Sequence, residues 1–151
     1  MATFQISYSQ FALFDPSVDG PYNDWTEEHV RQGFSWRPGS VSFKTFGDGP
    51  LDVEIKRSQE EDFPSGFKRA IQVPFSVPVS GMVECGSLFE TVELELPPGD
   101  YRVVFSTGVE QGRMRGTLLL EPTSDAVEPS IILSDSDLNP PSPLVMQADP
   151  A

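Results

Sequence analysis

The segment that most constrains the fold is residues 96–107, LPPGDYRVVFST, in which a turn leads into a strand. The two prolines fix φ where an incoming strand must stop, and Gly99 gives the backbone the freedom to reverse direction, so we predict a hairpin here. Beyond the turn, Tyr101, Val103 and Phe105 recur at every second residue, which places them on one face of a strand. This face needs a second β-layer against which it can be buried.

The other long apolar runs also have the composition of strands and are separated by turns rich in glycine and proline. Strands are predicted over residues 4–14, 41–46, 51–56, 67–77, 88–96, 101–107 and 117–120. The alternation slips near Gln10, which predicts a β-bulge or a bend. Pro74 cannot donate to a ladder, so its strand is predicted to lie at a sheet edge or to bend. Short strands at this spacing predict an all-β protein, mainly an antiparallel β-sandwich.

One short α-helix is predicted near residues 25–32. It follows a surface loop over residues 15–24 that is rich in proline, glycine, asparagine and aspartate. Asp24 is the candidate N-cap, acidic residues occupy the first turn, and Gly33 is the candidate C-cap.

The composition changes at about residue 122. Residues 1–122 are predicted to form a single β-sandwich domain, whereas residues 123–151 contain five acidic residues, five prolines and no basic residue. A segment of this composition buries too little apolar surface to offset its ordering entropy, so we predict a mobile tail that folding does not need. Residues 130–133, with the sequence SIIL, are the exception and are predicted to dock as a short strand or to lie against the sheet.

The charge of the chain favours a basic partner. Its 151 residues include 10 Lys and Arg against 23 Asp and Glu, a net charge of −13. This charge opposes binding to nucleic acid or to an anionic membrane, and no apolar run approaches the length of a membrane span. The N-terminus lacks the features of a signal peptide, so a cytoplasmic location is predicted. The alternative is that the acidity serves solubility only.

The residue types that catalysis and cofactor binding require are scarce. His29 is the only histidine and is predicted to be a solvated helix residue, and Cys85 is the only cysteine and is predicted to be structural. No glycine-rich phosphate loop or dinucleotide fingerprint is present. We therefore predict a protein that is not an enzyme and that needs neither a cofactor nor a metal.

A calcium- or carbohydrate-binding sandwich module is the alternative function. A loose calcium site would require several loop carboxylates to meet, namely Asp15, Asp19, Asp24, Asp48 and Asp52. A sugar-stacking platform would use three aromatic residues, Tyr22, Trp25 and Trp36, although aromatics beside a short helix more often anchor it to the core.

Several of these elements occur together in one recognisable order. They are Ile6-Ser7-Tyr8 with Gln10-Phe11 and Phe14, Asp24-Trp25-Thr26, Gly33, Val41-Ser42-Phe43, Val73-Pro74-Phe75 with Val77, and Leu96-Pro97 with Gly99-Asp100-Tyr101. Over residues 4–107 this arrangement resembles the family of competence protein J, the bacterial inhibitor of the DNA-entry nuclease. The resemblance implies a small protein that binds a nonspecific nuclease and blocks its activity without chemistry of its own.

A basic, nonspecific DNA endonuclease is therefore the predicted partner, contacted through acidic loops. The predicted contacts are Asp15, Asp19, Tyr22, Asp24, Glu27 and Glu28, with a competing patch at Glu60, Glu61 and Asp62. Loops carry function more often than strands do, and clustered charge beside an aromatic residue suits a basic groove.

Overall fold

The computed structural model describes residues 1–58 and 63–151. The predicted contacts Glu60, Glu61 and Asp62 lie outside the described residues. The strands within these two ranges are β1 (Ala2–Ile6), β2 (Gln10–Phe14), β3 (Phe34–Arg37), β4 (Ser40–Lys44), β5 (Gly49–Lys56), β6 (Phe67–Val77), β7 (Met82–Gly86), β8 (Thr91–Glu95), β9 (Gly99–Glu110), β10 (Arg113–Pro122) and β11 (Ser130–Leu133). Helix α1 (Glu27–Gln32) lies between β2 and β3.

The strands form two sheets. Sheet A has the order β1-β5-β10-β9-β6-β11, and sheet B has the order β3-β4-β2-β7-β8. Neighbouring strands are antiparallel except β5 and β10, which are parallel. The prediction of a mainly antiparallel, all-β sandwich with one short helix is confirmed.

Aromatic side chains from both sheets meet in the core. Tyr101, Val103 and Phe105 of β9 are buried on the inner face of sheet A, as their alternation predicts. The Phe105 ring stacks on Phe11 of sheet B, with 4.9 Å between centroids, and it also contacts Phe43 at 5.0 Å. These rings bring the two sheets together.

The turn at residues 96–99 does not close a hairpin, so that prediction is wrong. β8 before the turn is the edge strand of sheet B, whereas β9 after it lies inside sheet A. Leu96 donates its N–H to Gly81 O at 2.8 Å, and the Tyr101 hydroxyl donates to Pro97 O at 2.7 Å. A hairpin and a crossing between sheets place similar demands on this local turn. What distinguishes the crossing is that the two flanking strands are buried on opposite sides of one core.

Residues 4–14 form two strands in different sheets rather than one strand with a bulge. β1 pairs with β5 in sheet A, and β2 pairs with β4 and β7 in sheet B. Tyr8 and Ser9 between them have φ values of 55° and 52°, in the left-handed region that non-glycine residues rarely adopt. The change of alternation near Gln10 therefore marks a crossing between sheets.

Pro74 lies where its missing N–H is tolerated. β11 pairs only with the part of β6 around residues 70–72, so at Pro74 the described strands leave one side of β6 open. The carbonyl of Pro74 accepts a hydrogen bond from Trp36 Nε1 at 2.8 Å. A strand edge at this residue agrees with the sequence prediction.

The segment after residue 122 lies against the sandwich. Residues 130–133 dock as strand β11, with Ile131 opposite Ile71 of β6. Of the two predicted arrangements, a short strand or a segment lying against the sheet, the first is the one observed. Farther along, Leu138 and Ala148 are buried, and Asp135 pairs with the buried guanidinium of Arg69. The prediction of a mobile tail used the average composition of residues 123–151. An average does not reveal the few residues that anchor this segment.

Candidate functional site

The loop before helix α1 lies flat on the outer face of sheet B. The buried side chain of Asn23 donates from Nδ2 to Ser35 O at 2.8 Å and to Ser40 O at 3.1 Å. The Tyr22 ring meets Phe14 of β2 edge to face, with 5.6 Å between centroids. These contacts hold the segment with most of the predicted partner residues in one conformation.

Helix α1 begins after Thr26 and not after the predicted N-cap, Asp24. Thr26 Oγ1 accepts from His29 N at 3.3 Å, and His29 Nδ1 accepts from Thr26 N at 3.1 Å, which together form a capping box. Asp24 instead donates its backbone N–H to Asp149 O at 2.7 Å. Gly33 is the C-cap with φ 86°, as predicted.

His29 is not the solvated residue that the sequence predicts, because its side chain is only 2% exposed. Burial lowers the pKa of His29, and the nearby carboxylates of Glu28, Asp24 and Asp149 oppose that shift only in part. The ring must be neutral for Nδ1 to accept the hydrogen bond from Thr26. The imidazole thus takes the place of the Glu or Gln side chain that usually completes a capping box.

The stability of the chain is expected to fall as the pH drops below about 6.5, the ordinary pKa of histidine. The unfolded state then takes up a proton that the folded state, with its lowered His29 pKa, resists. His29→Gln keeps a capping-box side chain that does not titrate, so its melting temperature should fall less between pH 7.5 and 5.5. Equal decreases in the melting temperatures of the parent and the variant would contradict this role of His29.

The predicted carboxylates before and within the helix face solvent on one side of the molecule. Asp19, Asp24, Glu27 and Glu28 are exposed, whereas Asp15 is half-buried. Asp15 Oδ1 accepts from both the N–H and the hydroxyl of Ser17, at 2.9 and 2.7 Å, and so closes a local turn. The structure brings four of these carboxylates to the surface and gives Asp15 a structural contact.

Strands β7 and β8 add carboxylates that sequence reasoning missed. Glu84 and Glu93 lie directly opposite each other, and Glu95 follows two residues later on the same face of β8. Burial raises the pKa of Tyr22 and the nearby charge of Glu84 raises it further, so this strand pair adjoins the loop. Like charges in opposite positions destabilise a sheet slightly, so packing gives no reason for the Glu84–Glu93 pair. The sequence does contain a signal for an exposed acidic strand face, because Glu93 and Glu95 alternate with the apolar residues Val92 and Leu94.

Three acidic side chains on sheet A have basic neighbours. Salt bridges join Arg113 to Asp52, Arg102 to Glu121 and Arg115 to Glu110. Hydrogen bonds from Arg113 and Thr3 hold the pKa of Asp52 well below its ordinary value. Seven of the acidic residues on the sheet B side form no salt bridge within residues 1–58 and 63–151 and make up one surface; they are Asp19, Asp24, Glu27, Glu28, Glu84, Glu93 and Glu95. We call these seven residues the acidic face.

A cavity of about 340 Å³ opens beside the acidic face. It is lined by Tyr8, Ser9, Gln10, Trp25, Val30 and Lys44. Trp25 Nε1 donates to Gln10 Oε1 at 3.2 Å, which fixes the indole as one wall. We call this cavity the Trp25 groove.

The residues weighed for calcium or sugar binding do not converge. Asp52 binds Arg113, and Asp48 Oδ1 accepts from Ser9 N at 2.8 Å. Among the described residues, no group of three or more His, Cys, Asp or Glu side chains is placed to hold a metal ion. Trp36 packs against the core, while Tyr22 and Trp25 lie on the outer side of sheet B, so the three aromatics form no common platform. Cys85 is buried, and burial raises the pKa of its thiol to about 12.

Comparison with known proteins identifies the family of this chain. A model of the competence protein J (ComJ) family matches residues 3–126. The chain belongs to this family. A Bacillus subtilis (strain 168) ComJ relative, described as a DNA-entry nuclease inhibitor, is 28% identical over 98 residues, which are 65% of this chain and 74% of the relative.

The crystal structure of a ComJ protein superposes on this chain. It is described as ComJ, inhibitor of the DNA degrading activity of NucA, from Bacillus subtilis. The TM-score is 0.70 at 20% identity, over 81% of this chain and 94% of the other, and it shows that the two proteins share a fold. In the described part of the present chain, no helix has the length and apolar character to cross a membrane.

The C-terminal residues of this ComJ family member lie beyond the family match but reach the site. Gln32 and Val145 exchange hydrogen bonds at 2.8 Å between the Gln32 side-chain amide and the Val145 backbone. Ala151 N donates to Tyr22 O at 2.9 Å. The last residues therefore support helix α1 and the loop that precedes it.

Proposed function

We propose that this chain is a non-catalytic inhibitor of a nonspecific DNA-degrading nuclease, and that its acidic face covers the basic groove in which the nuclease holds DNA. Membership of the ComJ family and its similarity to a DNA-entry nuclease inhibitor support the inhibitor role. The placement of the interface rests on one observation, the gathering of carboxylates without salt bridges on the sheet B side of the described chain.

The absence of salt bridges at these carboxylates has a direct physical consequence. The carboxylates of the acidic face have no neutralising salt bridge among the described residues, so their potential extends into solvent. A nuclease that grips the phosphate backbone needs a basic groove, and such a groove is attracted to this face at long range. Blocking DNA access in this way needs only binding.

The function is tested by DNA cleavage with a basic, nonspecific endonuclease from the organism that encodes this chain. The double variant Asp19→Lys with Glu28→Lys is expected to associate with the nuclease about tenfold more slowly at 50 mM salt, and the difference should shrink at 200 mM salt. Glu93→Lys is expected to act in the same direction. The parent chain should abolish cleavage when it is in excess.

Glu54→Lys is the matched control for Glu93→Lys. Both are exposed strand residues, but Glu54 lies on β5 in sheet A, away from the acidic face. The control should inhibit nearly as well as the parent. If the double variant and the parent inhibit equally at both salt concentrations, the acidic face is not the interface. A parent chain that inhibits no such nuclease would remove the proposed function itself.

A further inference from the structure

We propose that the Trp25 groove is the anchor site of the interface and that it receives an apolar side chain projecting from the nuclease surface beside its basic groove. This inference rests on the proposed function and adds to it the contact that keeps the complex together. The acidic face attracts the partner, and the groove slows its release.

The turn that carries the chain from β1 in sheet A to β2 in sheet B places a large aromatic residue, Tyr8, in a strained backbone conformation. Tyr8 and Ser9 both have positive φ, which costs free energy for residues with a side chain. Ser9 is held by two bonds, since its N–H donates to Asp48 Oδ1 at 2.8 Å and its carbonyl accepts from Thr45 N at 2.9 Å. The result is a tyrosine that is 78% exposed at the mouth of the groove.

The walls of the groove are apolar and partly preformed. Val30, on the exposed side of α1, is 43% exposed, and the Trp25 indole is fixed by its bond to Gln10. Tyrosine and tryptophan are enriched among the few residues that carry most of the binding energy at interfaces. A pocket that is shaped before binding loses little entropy when it is filled.

The charges around the groove identify the occupant. Lys44 lines the groove, so a cationic side chain is disfavoured inside it. Glu27 lies one helical turn before Val30, and the rest of the acidic face continues from there. The surroundings therefore attract a basic surface while the groove itself accepts an apolar group. An apolar side chain flanked by basic residues, as on the rim of a DNA-binding groove, meets both conditions.

The test uses the full-length chain and the endonuclease of the cleavage assay, with association and dissociation rates measured at 50 and 200 mM salt. Tyr8→Gly is expected to raise the dissociation constant at least about tenfold at both salts, through faster dissociation with an unchanged association rate. Glycine adopts the left-handed conformation without strain, so this variant should melt no lower than the parent. Loss of binding is thereby separated from loss of fold.

A matched pair of valines provides the control. Val30→Ser in the groove should weaken binding several-fold, also through the dissociation rate. Val79→Ser should leave both rates unchanged, because Val79 is 94% exposed but lies in the turn before β7, at the Phe14 end of β2 and far from Gln10. Serine and valine have similar helix propensities, so the substitution at Val30 removes mainly the apolar contact.

Three outcomes would overturn the proposal. If Tyr8→Gly and Val30→Ser bind as the parent does, the groove is not an anchor, while the proposed function stands. If the parent is a dimer and these variants are monomers, the groove joins copies of this chain. If the parent neither binds nor inhibits the nuclease, the proposed function falls and this inference falls with it.

Discussion

A chain that ends at Thr123 is expected to be less stable than the full-length chain by about 4 kcal/mol or more, which is a decrease of about 8 °C or more in melting temperature at this size. The truncation removes Asp135, the charged partner of Arg69. It also removes strand β11 and the buried side chains of Leu138 and Ala148. Thermal unfolding of the two chains under identical conditions measures the difference.

The Arg69–Asp135 pair explains most of this effect. Arg69 is fully buried and donates from Nε and Nη2 to both carboxylate oxygens of Asp135, at 2.7 and 2.9 Å. Burial alone would raise the pKa of Asp135, but the bonds from Arg69 outweigh it and keep the pKa below its ordinary value. Without Asp135, the Arg69 charge retains its bond to Lys44 O and its position over the Phe46 ring, but it is no longer neutralised.

Two single variants isolate this ion pair from the rest of the segment. Asp135→Ala is expected to destabilise the full-length chain by about 3 to 5 kcal/mol, since a buried charge loses its partner. Asp137→Ala removes the same charge from an exposed residue two positions later and should have little effect. If the chain ending at Thr123 has the same melting temperature as the full-length chain, residues 124–151 are the dispensable tail that composition predicts.

Phe105→Ala is expected to cost about 3 to 5 kcal/mol of unfolding free energy. The Phe105 ring lies between the sheets, nearly parallel to Phe11 with an interplanar angle of 6°. Removing it leaves a cavity that rigid strands on both sides cannot close. Chemical denaturation of the parent and the variant measures the loss.

Phe89→Ala is the control for this prediction. Phe89 is 76% exposed in the turn between β7 and β8, so its removal should change the stability by less than about 0.5 kcal/mol. Comparable losses at the two positions would mean that Phe105 is not the contact between the sheets that its ring geometry indicates.

The candidate site was only partly predictable. Asp19, Asp24, Glu27 and Glu28 were found from local clustering in one loop and helix turn, and they are exposed together. Glu84 and its pairing with Glu93 were missed because strand β7 was not predicted. The Trp25 groove was also beyond sequence reasoning, because only the fold brings Tyr8, in the turn between β1 and β2, and Lys44, at the end of β4, near the helix.

The sequence by itself determined most of the strands, the single short helix with its glycine C-cap and the inward face of β9, because alternation and capping depend on neighbours a few residues apart. It did not distinguish a hairpin from a crossing at residues 96–99, nor a bulge from a crossing at residues 8–9, since the local backbone requirements are alike. Only the tertiary structure decided the sheet to which each strand belongs, the burial of His29 and the pairing of Asp135 with Arg69. Those outcomes depend on contacts between distant residues, where burial of apolar surface and neutralisation of charge outweigh the preferences of any short segment.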